Sequence, residues 1–377
     1  MDQPYLSVVV TSRNDDHGGS MLARMQCFID ALATQANSFE LTTELLVVEW
    51  NPPSEGVPLL RALSWPNVSS FFATRIITVP SEIHAALDNS SRLGLFQMIA
   101  KNVGVARANG KFILVTNIDI LFSENCFSWL ATKPLHPGKS YRADRLDVPA
   151  DTVQIKDLTQ CLAYCEKSVI AAGRHGEFEY DGIDGAGIAS RSRYQRAARR
   201  LRSLLFQTGI DRYLGRSSRL VLLRRMIRYL CAKVCGVELP KLHTIACGDF
   251  ALMSKEDWEA LSGYEEWPIY SWNLDSLLLY LAHASGMEEV LLGPEKSVYH
   301  IDHSVGSGWT PGGDAALFKR LEENAIPYMD DVEMDLQVRN FLREGGRQVP
   351  PTNWGMKGAH LPEILAGLPT KQASIDE

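Results

Sequence analysis

The stretch Lys111 to Phe122, KFILVTNIDILF, constrains the fold more than any other in the chain. Phe112 to Val115 is a run of apolar and β-branched residues that reads as a strand buried on both faces, as in the middle of a parallel sheet. It stops at Thr116-Asn117-Ile118-Asp119, which puts polar groups where the strand would end. Open α/β sheets bind their ligands in the crevice beyond the C-terminal ends of their strands. Asn117 and Asp119 are two residues apart, so in a continuing strand both side chains leave on one face. One oxygen from each then points toward a divalent cation on the phosphates of a nucleotide. The plainer reading is an Asx-type turn, with Asp119 capping the next helix. Ser123 is a second N-cap candidate, opening a helix that carries Cys126, Phe127 and Leu130.

The flanking segments alternate in the same way. Leu6 to Thr11 reads as a buried first strand, followed at once by Ser12-Arg13-Asn14-Asp15-Asp16. Gly18-Gly19-Ser20 leads into a helix with Leu22, Met25, Phe28, Ile29 and Leu32 at helical spacing. Glu44 to Glu49 is a second strand ending in an acid, and Trp50-Asn51-Pro52-Pro53 enforces a stop. Arg75 to Val79 is a short third strand, and Ser91 to Asn109 reads as a helix closed by Asn109-Gly110. This alternation predicts an α/β fold with a central, mostly parallel sheet flanked by helices. Beyond Trp129 the pattern loosens into a helix over Gln160 to Ala172 and a strand over Phe250 to Met253. A helix from Lys255 to Leu261 is capped by Ser254 and ends at Gly263. A helix from Asn273 to Ala284 and a strand near Ser297 to His300 follow.

A chain of 377 residues, 45% hydrophobic and 22% charged, has ample material for a sizeable core. No stretch approaches the roughly 18 uninterrupted apolar residues of a membrane-spanning helix. The first residues enter a strand without a basic signal region, which reads as a cytoplasmic protein. The seven cysteines are scattered and odd in number, which does not read as a disulfide framework. Cys161/Cys165 and Cys231/Cys235 lie in apolar, helix-like stretches, and buried thiols fit them better than a zinc site. The net charge of −7 hides a lopsided distribution: Arg191 to Lys241 carries fourteen Arg or Lys against two acids.

Five strand or loop ends carry polar groups: Thr11/Arg13/Asn14, Glu49, Asn117/Asp119, Asp144 and His300/His303. Repeated placement at strand ends points to one crevice. Over roughly Leu6 to His303 the chain resembles the GT-A glycosyltransferases, especially family-2-like enzymes, with a C-terminal half similar to the β-1,4-galactosyltransferase type. That resemblance implies a Rossmann-like GT-A fold, a nucleotide-diphosphate sugar donor (UDP-sugar above all) and Mn²⁺ or Mg²⁺. It places Thr11, Arg13, Asn14 and Glu49 on the base and ribose. It matches Asn117-Ile118-Asp119 to the metal-binding DxD with the first acid replaced by a neutral ligand. It puts Asn102 near the nucleotide, with a solvated helix face as the equal alternative. The segment Tyr141 to Arg145, with Asp144, has two readings: contact with the donor sugar, with Arg142 or Arg145 near its phosphates, or structural ion pairing.

The same resemblance makes Ala246-Cys247-Gly248-Asp249-Phe250-Ala251-Leu252 the acceptor loop and Gly263-Tyr264-Glu265-Glu266 the turn after it. Asn273-Leu274-Asp275 then stands where inverting members hold their base. Glycosyl transfer needs a Lewis acid for the departing diphosphate and a carboxylate to deprotonate the acceptor hydroxyl. Asp275 is the first candidate base, although a helix N-terminus would lower its basicity. Asp249 is its rival, and simple capping and turn roles are the alternatives for each. His300-Ile301-Asp302-His303 follows a strand, and His300 is the favoured metal ligand over His303. Trp267, Trp272 and Trp309 offer aromatic faces for a sugar or packing for the lobe.

The expected organisation is a nucleotide-sugar half over 1–135, an acceptor half over 136–310 with a helical insertion at about 188–242, and a C-terminal extension over 311–377. The basic segment 191–234 has three readings: a peripheral contact with anionic membrane, a lid over a phosphate-bearing acceptor, or a solvated face. The acceptor class is a saccharide or a lipid-linked saccharide. Nucleic acid is disfavoured by the pI of about 5.8 and the lack of a basic-aromatic reader motif. Two other functions compete. A sugar-phosphate nucleotidyltransferase lacks its Gly-rich, paired-basic signature here, since Ser12 to Gly19 carries only Arg13. A degenerate GT-A domain acting as a binding module would draw on the Asn117 replacement.

Overall fold

The computed structural model describes residues 3–16, 18–175, 177–180, 239–303, 315–349 and 351–368, with backbone alone at 177–180 and 315. The basic segment 191–234, Cys231, Cys235 and Trp309 lie outside the described residues. The strands are β1 (Leu6–Ser12), β2 (Thr43–Trp50), β3 (Phe72–Val79), β4 (Phe112–Val115), β5 (Ile120–Phe122), β6 (Lys139–Arg142) and β7 (Arg145–Val148). After them come β8 (Ala171–Arg174), β9 (Glu177–Tyr180), β10 (Ala251–Ser254), β11 (Glu288–Leu291), β12 (Val298–Ile301) and β13 (Glu363–Ala366). The main helices are α1 (Met21–Ser38), α2 (Gln97–Val105), α3 (Glu124–Ala131) and α4 (Leu158–Lys167). They continue with α5 (Lys255–Leu261), α6 (Leu274–Ala284), α7 (Ala315–Glu323) and α8 (Asp331–Glu344).

An eight-stranded sheet runs β11-β6-β10-β4-β1-β2-β3-β13, and its centre, β4-β1-β2-β3, is parallel. This is the mixed α/β class expected, a large and mostly parallel sheet with helices on its faces. β1 and β2 are buried along their whole length, which is why both read as unbroken runs of Val and Leu rather than as alternating patterns. The strand order reverses between β1 and β4, so a crevice opens beyond their C-terminal ends. α2 packs on β1 and β2 through Gly104, where an added Cβ would stand 2.4 Å from Val9 Cγ1. A second, five-stranded sheet, β5-β12-β7-β8-β9, begins directly after the Asp119 turn.

Three local expectations are corrected. The helix read over Ser91 to Asn109 is α2 alone; residues 91–96 form a loop in which Gly94 lies against the Arg13 guanidinium and accepts from Asn51 Nδ2 at 3.1 Å. Asn109 and Gly110 do not cap it, because their N–H groups donate to Glu44 and Ser7 at the start of the sheet. The helix read over Gln160 to Ala172 ends at Lys167, and Ala171 onward joins β7 as β8. Ser123 caps α3 by accepting from Cys126 N, so Asp119 is free of that task. Among the described residues, no helix is long and apolar enough to cross a membrane.

The C-terminal segment is part of the sheet. β13 pairs antiparallel with β3, and Arg107 donates to the carbonyls of Gly355, Met356 and Ala359, fastening residues 355–359 beneath α2. α8 carries a full capping box, Asp330 with Glu333, and ends on Gly345 at a φ of 70°.

Candidate active site

Asp119, His300 and His303 come together beyond the end of β4, their ligand atoms all within 4.8 Å of one another. The second sheet makes this arrangement. β12 lies between β5 and β7, with His300 opposite Ile120 on one side and Asp147 on the other. His300 Nδ1 faces Asp147 Oδ1 at 2.9 Å, while its Nε2 stands 3.8 Å from Asp119 Oδ2. His303 Nε2 is 3.5 Å from the same oxygen. Arg24, buried on α1, donates to Asp119 Oδ2 and to Gly19 O. Burial and Arg145 disfavour a proton on His300, but the Asp119 and Asp147 carboxylates outweigh them and raise its pKa.

Beside this cluster lies an ion-paired group. Burial works against ionisation of Asp249, yet Arg145, His300 and Lys101 together hold its carboxyl below the usual range. Its two oxygens accept from Asn117 Nδ2 at 2.5 Å and Arg145 Nη1 at 2.9 Å. Arg145 also pairs with Asp147, whose pKa is lowered, against burial, by His300 and Arg145. Lys101 is wholly buried and donates to Gly248 O at 2.9 Å. Burial depresses its pKa, and Asp249, Asp275, Cys247 and Asp119 all lie near enough to oppose that. Asp275, in the first turn of α6, is half-buried, and its Oδ1 accepts from Ser276 N at 2.8 Å. Its pKa is raised, chiefly by burial and against the pull of Ser276 N–H and Lys101. Desolvation thus outweighs the helix-terminus effect expected from sequence, and Asp275 becomes the stronger base of the two.

The other expected residues divide. Thr11, Arg13, Asn14 and Glu49 gather along the ends of β1 and β2. Thr11 Oγ1 donates to Val48 O, Arg13 Nε to Asn51 O at 2.7 Å and Asn14 Nδ2 to Val57 O at 2.7 Å. Glu49 is buried, which raises its pKa, and accepts from Leu59 N. Asp144 faces His243 Nε2 at 3.0 Å. The Asn117 amide lies between Gln97 and Asp249, accepting from Gln97 Nε2 at 3.0 Å and donating to Asp249 Oδ1.

Two of the expected residues are fully buried in internal contacts. Arg142 is 0% exposed and donates to the carbonyls of His243, Ile245 and Cys247, so it shapes the loop before β10. Asn102 is also 0% exposed. It accepts from Tyr264 N and donates to Tyr264 O and Glu266, fixing the Gly263 to Glu266 turn. Trp272 stacks edge-on against Phe318 at 5.0 Å, and Trp267 packs against the main core.

Sequence reasoning missed Arg24, Asp147 and the part of His303. Arg24 left a signal: it stands on the stripe Met21, Met25, Phe28, where a charge on a buried helix face needs a partner. Asp147 left none, since only strand pairing brings it to His300.

No family model and no curated protein matches the chain. Among solved structures it is similar to two crystal structures of S. aureus TarS. The first has 11% sequence identity and a TM-score of 0.32, covering 79% of this chain and 36% of TarS. The second, of TarS 1–349, has 11% identity and a TM-score of 0.35, covering 90% of this chain and 71% of that one. The chain therefore spans little more than a third of the length of the first structure it matches.

Proposed function

We propose that the chain is a metal-assisted glycosyltransferase that moves a sugar from a nucleotide-diphosphate donor, UDP-sugar first among them, to an acceptor hydroxyl. The observation that carries this reading is the meeting of Asp119, His300 and His303 at the sheet's crossover crevice, with Asp275 gathered around the same buried Lys101. The donor set fits a divalent ion, since Asp147 fixes the His300 ring so that Nε2 faces Asp119. When bound there, such an ion acts as a Lewis acid toward the departing diphosphate. Asp275 accepts the acceptor hydroxyl's proton as its oxygen bonds to the sugar's anomeric carbon and the carbon–phosphate-oxygen bond breaks. Its raised pKa suits that task. Asp249, held ionised by Arg145 and Asn117, is the poorer base and instead orients the loop before β10.

The polar rim of Thr11, Arg13, Asn14 and Glu49 is the proposed base and ribose end of the donor site. The test is transfer or hydrolysis of UDP-sugars by the purified chain with Mn²⁺, and its loss in Asp119→Ala. Donor binding without turnover in the wild-type chain would favour a binding module. Turnover untouched by Asp119→Ala would refute the assignment.

A further inference from the structure

We infer that Cys27, Cys161 and Cys165 form a site of reversible oxidation, in which a hydroperoxide converts the Cys27 and Cys161 thiols into a disulfide joining α1 to α4. The inference stands apart from the proposed glycosyl transfer, since it uses none of the residues assigned to that reaction.

Three observations support it. First, the fold brings the three sulfurs together from two helices. Cys161 and Cys165 stand one turn apart on the buried face of α4, in a small apolar cluster with Leu121, Val148 and Tyr299. Cys27, on α1, packs against the same cluster. Cys161 is the middle sulfur, within hydrogen-bond reach of Cys27 on one side and of Cys165 on the other. Second, these surroundings make Cys161 the nucleophile. Two S–H groups aimed at one sulfur favour its thiolate, so Cys165 and Cys27 lower the Cys161 pKa against the opposing effect of burial. Each donor is correspondingly held as a thiol, its pKa raised by Cys161. Burial by itself does the reverse, as at Cys126, whose thiol is pushed up to about 12.

Third, exposure and geometry select the partner. Cys161 is 2% exposed and Cys165 0%, whereas Cys27 is half-buried and the most open of the three. Cys161 and Cys165, four apart on one helix, hold their Cβ atoms about 5–6 Å apart, beyond the roughly 3.5–4.5 Å of a disulfide. Cys27 belongs to another helix, so side-chain rotation and a small shift of α1 against α4 close the gap. The Cys161 thiolate attacks one oxygen of the peroxide. The O–O bond breaks, hydroxide leaves and takes up a proton, and Cys161 becomes a sulfenic acid. The Cys27 sulfur then attacks the Cys161 sulfur, and the S–O bond breaks as the hydroxyl leaves with the Cys27 proton as water. Two thiols are oxidised, one peroxide is reduced, and a thiol reductant reverses the bridge.

The test treats the reduced full chain with one equivalent of hydrogen peroxide, alkylates the remaining thiols and maps cross-linked peptides by mass spectrometry. A Cys27–Cys161 bridge should form and disappear with dithiothreitol. Cys27→Ser should stop at the sulfenic acid, trapped on Cys161 by dimedone. Cys165→Ala, which removes one donor, should slow oxidation of Cys161 by about threefold or more while keeping the bridge. Thermal midpoints of the reduced variants confirm folding. A Cys161–Cys165 bridge, a bridge elsewhere that leaves Cys27 and Cys161 open to alkylation, or oxidation of Cys161 no faster than of Cys126 would overturn the inference.

Discussion

Asn102→Ala is the most quantitative way to probe how the acceptor-side turn is built. The side chain is fully buried and makes three hydrogen bonds of 2.8–2.9 Å to Tyr264 and Glu266. Truncation leaves the Tyr264 N–H without a partner in the interior, a cost of about 1–3 kcal/mol. Two further bonds are lost, one of them to the Glu266 carboxyl, adding about 2 kcal/mol net. The sum is about 4 kcal/mol, a large share of the 5–15 kcal/mol that holds an ordinary protein folded. At a urea slope of about 3 kcal/mol/M the unfolding midpoint should fall by about 1.3 M. A double-mutant cycle sharpens the test. A Cβ on Gly263 would stand 2.2 Å from Asn102 Oδ1, so Gly263→Ala clashes in wild type. In the Asn102→Ala background that clash is gone, and only the cost of a φ of +64° remains. The two substitutions should therefore be strongly non-additive. A loss below about 1 kcal/mol for Asn102→Ala, or additive behaviour of the pair, would refute this account.

Asp275→Asn should leave the fold and donor affinity intact while lowering turnover by about 10²-fold, the scale of a lost general base; near-native turnover would move the role elsewhere. His84 accepts from Trp50 Nε1 at 2.9 Å and is kept neutral by burial, which lowers its pKa. The unfolded chain therefore binds the proton more readily, and stability should fall as pH drops below about 6.5, with a shallower fall in His84→Leu seen as thermal midpoint against pH. Arg107→Ala should free residues 355–359, measured as faster amide exchange at Gly355 to Ala359 with β1 and β2 unaffected. The basic segment 191–234 should bring the chain down with anionic but not neutral vesicles, less so in salt or after replacing Arg199, Arg200, Arg224 and Arg225 with Glu. Failure to co-sediment at low salt would leave it a lid or a solvated face.

The parts of the molecule legible in the sequence are those set by local pattern. β1, β2 and β4 announce themselves because burial on both faces demands unbroken apolar runs, and Ser123 and Ser254 mark helix starts because capping is a one-turn interaction. The Asp119 turn was legible for the same reason. What stayed hidden depends on partners far along the chain. Asn102 and Arg142 read as ligand contacts because a polar residue near a strand end looks alike whether it faces solvent or a buried carbonyl. Only the fold shows that Asn102 is 162 residues from Tyr264 in sequence yet bonded to it. The raised pKa of Asp275 is hidden from sequence because helix position is visible there and desolvation is not.

The place of β13 bears on how the chain is made. Its pairing with β3 joins Arg75 to Glu363 across 288 positions. During synthesis at about 5–20 residues per second, β3 is complete roughly 15–60 s before its neighbour leaves the ribosome. For that interval the nascent sheet shows a long strand edge rich in Ile and Val, with unpaired N–H and C=O groups, as a template for any other nascent chain. Late arrival of a four-residue strand thus sets the period in which this protein most needs a chaperone. Shortening the chain before Glu363 would make that period permanent.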